Sequence, residues 1–514
     1  MYLLAIDIGS TSIKSVIFDY KGRIVSLGRR KTEVFYEKEG SQEFAFWMPE
    51  NIWGNVCGAV KDSVNLIKDP GLIRSVSVTG FACDGVPIDK NGNWIYPFIS
   101  WHDTRCVEQI EWAERNLDYE EIYKINGQKP WLHNTIMRNV WVKNHLPEIY
   151  KKTYKWLLIE DYINFRLCGS IATDYSLAST TLVFDQKSLN WSDRLFKMFD
   201  IDMDIYPEPK PSGTFLGEVS GEASVPTGLK KGTPVILGGL DGLCGVYATA
   251  GDQEEDLVGV MGTYEHYHKC LDKPILEKNG LLSSIICQAH VIKGKYGIYG
   301  VAVSAGIFEW FKDVFCSEEE RYAEENKKNI WDVLMDKAAE SSAGSGGIFM
   351  LPDLYGSACP VQDNYSRGVF TGISSTSKKE DFIRAVIEGL SYKGFELYEA
   401  IREYTSSESR KIMITGGATR NSFWIQLKSD ISGIEIEVPD IEEATPLGAA
   451  MIGGVGTGIF EDFSDAFKKI ERKIKKYSPD KNNHKLYKKY YNDIYKKIYP
   501  SCRDINNLIS TRIL

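Results

Sequence analysis

Residues 1–25 read MYLLAIDIGSTSIKSVIFDYKGRIV. An apolar run leads into a lone carboxylate, Asp7, and a small polar loop, Gly9-Ser10-Thr11-Ser12, separates it from a second apolar run over 13–19 that contains Lys14. Two such runs about a glycine turn predict a β-hairpin. The tight Tyr20-Lys21-Gly22-Arg23 turn then predicts a third strand from Arg23 to about Val34. Gly9 lets backbone approach a ligand closely, and successive N–H groups in such a turn can cradle an anion. Ser10, Thr11 and Ser12 add hydroxyl donors, and Lys14 a cation. Asp7, at the strand end, suits Mg²⁺ held through water, because that ion keeps much of its hydration. Read alone, the same residues also make an ordinary hairpin turn.

Working outward, the pattern restarts after Ala250. DLVGVMGTYEHYHKC over 256–270 echoes the opening as strand, Gly262-Thr263 turn and strand. Two such turns, one per half, could clamp a nucleotide triphosphate from both sides. A further strand ends at Gly416-Gly417-Ala418, before a helix expected from near Asn421, and a double glycine there lets a flat ring or phosphate rest on the backbone and helix N-terminus. The apolar run 234–240 delivers Asp241 into a glycine-flanked loop. A carboxylate there is costly unless paired or used. General base for a substrate hydroxyl and N-cap of the following segment are equally open readings. In residues 83–106, Asp84, Trp101, Asp103 and Arg105 join an aromatic platform to charges, as polyol binding needs. The alternative is a core Trp101 and a surface Asp103–Arg105 pair of little energetic value.

At 514 residues the chain exceeds one ordinary core, so two domains are expected: 1–250, 251–495, and a tail over 496–514. Strands and helices alternate, giving an α/β class. The formal net charge of -9 argues against a nucleic-acid surface. The Lys- and Tyr-rich end, 467–500, reads as terminal helices packing one face with lysines solvated. Ten cysteines without CxxC pairs read as reduced thiols. No stretch approaches the ~20 apolar residues of a membrane span, and no signal-peptide pattern opens the chain. A cytoplasmic protein is the expectation.

In this order the segments resemble the FGGY family of carbohydrate kinases. AIDIGSTSIKSVIFD is similar to the first phosphate motif, GGLDGLCG and GVMGTYE to the catalytic-aspartate loop and second phosphate motif. ITGGATRNSFWIQLKSDISGIEIEVPDIEEATPLGAA resembles the adenosine motif, and SRGVFTGISSTSKKEDFIRAVIEGLSY the C-terminal signature. The resemblance implies two actin-like, RNase H-type domains around a deep cleft, with sugar mainly on the first and MgATP mainly on the second. It implies Asp241 as catalytic base. It implies Asp84, Trp101, Asp103 and Arg105 at the sugar, and Asp7 near Mg²⁺. ATP would meet Gly9, Ser10, Thr11, Ser12, Lys14, Gly262, Thr263, Gly416, Gly417, Ala418 and Asn421. Asp84 stands where the xylulose branch usually has His, and Gly356-Ser357-Ala358 where the family usually has GER. A ketose is therefore expected, L-fuculose-like or a pentulose such as xylulose. A polyol kinase and a non-catalytic regulator of the same fold are the alternatives, and a homodimer is left open.

Overall fold

The computed structural model describes residues 1–39, 42–253 and 256–512. Its first lobe is built on β1 (Tyr2–Ile8), β2 (Ser12–Asp19), β3 (Ile24–Lys31), β4 (Ile73–Gly80), β5 (Phe215–Glu218) and β6 (Pro234–Leu240). They lie in the order β5-β6-β4-β1-β2-β3. The β1–β3 strands run antiparallel, while β4 joins β1 and β6 joins β4 in parallel. The opening hairpin and the 234–240 strand are therefore as expected, and the third strand stops at Lys31.

The side chains of β1 are buried on both faces, Leu3, Leu4, Ala5, Ile6 and Ile8 alike. Such a strand needs a covering layer on each side. One cover is α1 (Pro49–Asn65), opened by proline in its first turn, where no N–H is lost. Between β4 and β5, α2 (Thr135–His145) and α3 (Ile159–Cys168) belong to a long insertion. Gly169 stops α3 in the left-handed conformation. After β6, α4 (Asp241–Ala250) begins without a loop. Asp241 is thus not in a glycine-flanked loop but in the first turn of a helix.

The second lobe repeats the plan. Its strands are β7 (Asp256–Met261), β8 (Tyr264–Leu271), β9 (Ile286–Ala289), β10 (Tyr296–Val303), β11 (Lys411–Thr415), β12 (Glu435–Pro439) and β13 (Ile474–Tyr477). Their order is β9-β10-β8-β7-β11-β12-β13, again a meander extended by parallel strands at β11 and β12. Among the helices of this half of the chain are α5 (Lys379–Thr405), α6 (Ser422–Ser432), α7 (Ala444–Gly456), α8 (Lys481–Tyr490) and α9 (Lys496–Arg512).

The closing helices join the two lobes. Helix α7 covers the other face of the first sheet, against β1, β4 and β6. Helix α4 buries Val246 and Ala250 against Val258 and Met413 of the second. The helices cross closely because Gly448 leaves room: a Cβ there would lie 2.0 Å from the carbonyl of Cys244. The chain crosses near residue 250, yet the first core is completed from beyond residue 440. Nor does the tail begin at 496, because α8 runs through a wide turn, Tyr491–Tyr495, into α9. Tyr487, Tyr491, Tyr495 and Ile498 are buried in the second core, the one-faced packing that the spacing predicts. Among the described residues no helix is long and apolar enough to cross a membrane.

Candidate active site

Strand ends and helix starts of both lobes converge on one cleft of about 880 Å³. Asp7 and Lys14 line it from β1 and β2, and Gly242 and Gly245 from the start of α4. Thr415, Gly416 and Gly417 line it from the end of β11, and Glu443 and Thr445 from the start of α7. Sheet register makes Asp7 and Lys14 direct cross-strand partners. Lys14 Nζ, however, donates to Glu443 Oε2 at 2.6 Å, an ion pair joining residues 429 positions apart. Its charge is engaged by the protein rather than free for a phosphate.

Asp7 is buried, and burial followed by the charge of Asp241 pushes its carboxyl up to about 7, with Lys14 opposing. Asp241, next to Gly242 of that lining, keeps some surface. Burial raises it to about 6 against the hydrogen bond it accepts from Gly242 N–H at 2.6 Å. A carboxylate poised near neutrality at the start of a helix is suited to accept a proton. The Gly9–Ser12 turn stands between β1 and β2, closed by Gly9 N–H to Ser12 O at 3.2 Å and by Thr32 Oγ1 to Gly9 O at 2.7 Å. Thr11 is exposed, and Gly9, Ser10 and Ser12 are partly exposed.

A second cavity of about 370 Å³ adjoins the first through Gly417 and Arg420. It holds Gly262, Thr263, Ala418 and Asn421 together with Phe308, Trp331 and Met335. The adjacent glycines differ. Gly416 has φ +107°, and a Cβ would lie 2.3 Å from Met261 O, so the backbone there demands glycine. A Cβ on Gly417 would meet no protein atom within 4 Å. Gly417 is spare for packing and leaves open the junction of the two cavities. Asn421 caps α6 by accepting from Trp424 N–H at 3.1 Å. The apolar side of this cavity, Phe308 and Trp331, sits on helices whose spacing reads simply as core.

The expected sugar residues divide. Asp84 has no exposed surface. Its Oδ2 accepts from Trp47 Nε1 at 2.6 Å and from Trp101 N–H at 2.9 Å, and Oδ1 pairs with Arg138 Nη2 at 2.9 Å. Burial still pushes it up to about 6. Asp103 and Arg105 form a two-pronged pair at 2.8 and 2.6 Å whose side chains are fully enclosed. The guanidinium lies 4.2 Å from the Phe44 ring centre and 4.7 Å from that of Trp141. Asp103 and Arg105, expected at a sugar, here satisfy each other and together brace the loop that carries Trp101. Neither is the surface pair of the alternative reading. Trp101 is 37% exposed, stacked on His102 at 4.0 Å, and is not core. Arg138, on α2, went unread because its helix shows only regular apolar spacing. It is buried with Nη1 unpartnered.

Models of the two halves of one family match this chain. The N-terminal domain of the FGGY family of carbohydrate kinases matches residues 2–248, and its C-terminal domain matches 260–457. The chain belongs to the FGGY family of carbohydrate kinases. It is an ATP-dependent sugar phosphotransferase. The kinase is similar to xylulose kinase of Bacillus subtilis, 27% identical over 99% of both chains. It is 26% identical to autoinducer-2 kinase of Salmonella choleraesuis over 95% of this chain and 92% of that one. The solved xylulose kinase of Lactobacillus acidophilus superposes with a TM-score of 0.88 at 22% identity, over 98% of each chain.

Asp7 offers the FGGY cleft a carboxylate oxygen, the donor type that Mg²⁺ takes. Among the described residues no group of three or more His, Cys, Asp or Glu could hold a metal. An ion beside Asp7 would therefore take most of its ligands from water and phosphate, as Mg²⁺ prefers. The open side of Gly417 likewise fits close approach of a nucleotide.

Proposed function

We propose that this kinase phosphorylates a ketose of five or six carbons, an L-fuculose-like deoxyketose or a pentulose such as xylulose. Asp241 takes the proton of the attacking hydroxyl. The observation that carries this reading is that Asp7, on the cleft wall, feels the charge of Asp241, whose neighbour Gly242 lines the same cleft. Both are raised towards neutrality, while the bordering cation, Lys14, is held by Glu443. Asp241 can then accept a proton at neutral pH and later release it. Mg²⁺ bound with ATP would neutralise phosphate charge, and Asp7 would hold it through water. The Gly9–Ser12 and Gly262-Thr263 turns would contact the phosphates from opposite lobes, and the Phe308–Trp331 cavity would take the adenine side.

For the sugar, Trp101 offers an apolar wall suited to a C–H face or a deoxy methyl. Asp84 acts through it: by accepting the Trp101 N–H it positions that wall, and with Arg138 it sets the polar floor. Relatives named xylulose kinase support a pentulose. The test is kcat/KM with MgATP across D-xylulose, D- and L-ribulose, L-fuculose, L-rhamnulose, erythritol and glycerol. A ketose should lead. Glycerol or erythritol in first place would remove the ketose assignment and leave the kinase assignment intact.

A further inference from the structure

Beyond the Gly262-Thr263 turn, strands β8 and β10 present three rings on one face of the second sheet. His266 and His268 alternate along β8 with parallel rings 5.9 Å apart. Tyr299, the cross-strand partner of His268 on β10, stacks on it at 4.9 Å and lies 6.2 Å from His266.

Three observations fix where this face looks. A Cβ on Gly297, two positions before Tyr299 and so on its face, would lie 3.3 Å from Leu243, two residues past Asp241. The Tyr299 phenol is pushed up by burial and then by the charges of Cys83, the neighbour of Asp84, and of Asp241. The edge strand β9 is fastened to the first lobe, with Cys287 N–H donating to Gly127 O at 2.9 Å and Ala289 N–H to Ser179 Oγ at 3.2 Å. The three rings thus face the first-lobe site across a seam that is closed at its edge.

The layer is polar and incompletely satisfied. His268 Nδ1 and both side-chain polar atoms of Gln288 have no partner, in residues only 5% and 1% exposed. Buried polar atoms are ordinarily paired, and those left over call for a ligand or water to complete them. Tyr299, directly opposite His268, and His266, two positions along β8, keep accessible surface.

We propose that His266 and Tyr299 form the second-lobe wall of the sugar pocket and determine which hydroxyl pattern is accepted, with His268, stacked beside both, positioning them. The proposal rests on reading the cleft beside Asp241 as the sugar site. Burial holds His266 down to about 4, so its imidazole stays neutral and offers one donor and one acceptor. Such groups register the presence of a hydroxyl rather than a charge. A site built to pair a hydroxyl rejects the analogue lacking it, because its own groups are left unpaired.

The test uses the full chain with MgATP and two variants, Tyr299→Phe and His266→Gln. We expect kcat/KM for the preferred ketose to fall about tenfold in each, glycerol to change less than about twofold, and the ATP-induced thermal shift to match the parent. An equal loss on every substrate, or an unchanged ranking and ratio, would overturn the wall. Should Tyr299→Phe lose the ATP-induced shift, His266→Gln alone decides by the same criterion. If the parent enzyme prefers glycerol to every ketose, the ketose reading fails. The wall then stands only if the variants alter the erythritol-to-glycerol ratio.

Discussion

The two hairpins that open the lobes share a topology and differ in chemistry. In the first, the strand position two residues before the turn glycine is Asp7, paired across the sheet with Lys14. In the second, the same position before Gly262 is Val260, paired with His266. One copy of the duplicated scaffold carries a charged pair at the cleft, and the other an apolar residue and a neutral ring. The same asymmetry follows at the closing helices. Helix α4 begins with a carboxylate, Asp241, while α7 begins with Ala444-Thr445, preceded by the Glu443 that holds Lys14. The repeated plan gives each lobe a glycine turn between its first two strands. On our proposal the first lobe carries the charge for proton and metal chemistry, and the second shapes the nucleotide and reads the sugar.

That division can be broken most forcefully at Asp241. Asp241→Asn keeps the size and loses the basicity, and turnover should fall ~10²–10⁴-fold with ATP binding by calorimetry retained. The pH profile should follow: activity in the parent rises as pH passes the raised carboxylate near 6, because the base acts only when deprotonated. Near-normal turnover in the variant would move the base elsewhere.

On the second lobe, Gly417→Val fills the open junction without touching the fold, since no protein atom stands within 4 Å of its Cβ. KM for ATP should rise at least about tenfold, and the melting temperature should stay put. Gly416→Ala should do the reverse in kind, destabilising the chain through its clash with Met261 O at 2.3 Å. Smaller again are Thr11→Ala and Thr263→Ala. Each should lower kcat by about three- to tenfold if its hydroxyl pairs with a phosphate. An effect confined to one of them would show that only one turn holds phosphate.

The smallest effect concerns stability. Glu160 is fully buried beside Asp174 and Asp161, and burial followed by their charges pushes its carboxyl well above the usual range. The folded state then holds the proton more tightly than the unfolded chain. Stability is full below the ordinary carboxylate range and is lost as pH rises through the folded value. Glu160→Gln, which mimics the protonated form, should raise the melting temperature at pH 8 by a few degrees and change it little near pH 4. An equal shift at both pH values would show that charge is not the cause.

Much of the lobe plan was legible because it is local. Hairpin turns, the 234–240 strand and the amphipathic end of the chain are written in neighbouring residues. Of the cleft lining, Asp7 and Gly416-Gly417 were legible because each motif sits at a strand end. What escaped was long-range. Lys14 meets a glutamate near the far end of the chain, and α7 crosses over to roof the first sheet; no periodicity encodes either. Asp103 and Arg105 carry the chemistry of a binding pair, but only the surrounding Phe44 and Trp141 rings reveal that they are sealed. Arg138 and Phe308 lie on ordinary helical stripes, where a ligand-facing residue and a core residue look alike.

A crystal structure with Mg²⁺, a non-hydrolysed ATP analogue and the preferred ketose decides whether one lobe carries the charge and the other holds the nucleotide. The γ-phosphate should lie between the Gly9–Ser12 and Gly262-Thr263 turns. The metal should sit on the Asp7 side, with a sugar hydroxyl within hydrogen-bond reach of Asp241. A γ-phosphate held by one turn alone, or a metal bound on the second lobe, would contradict that division.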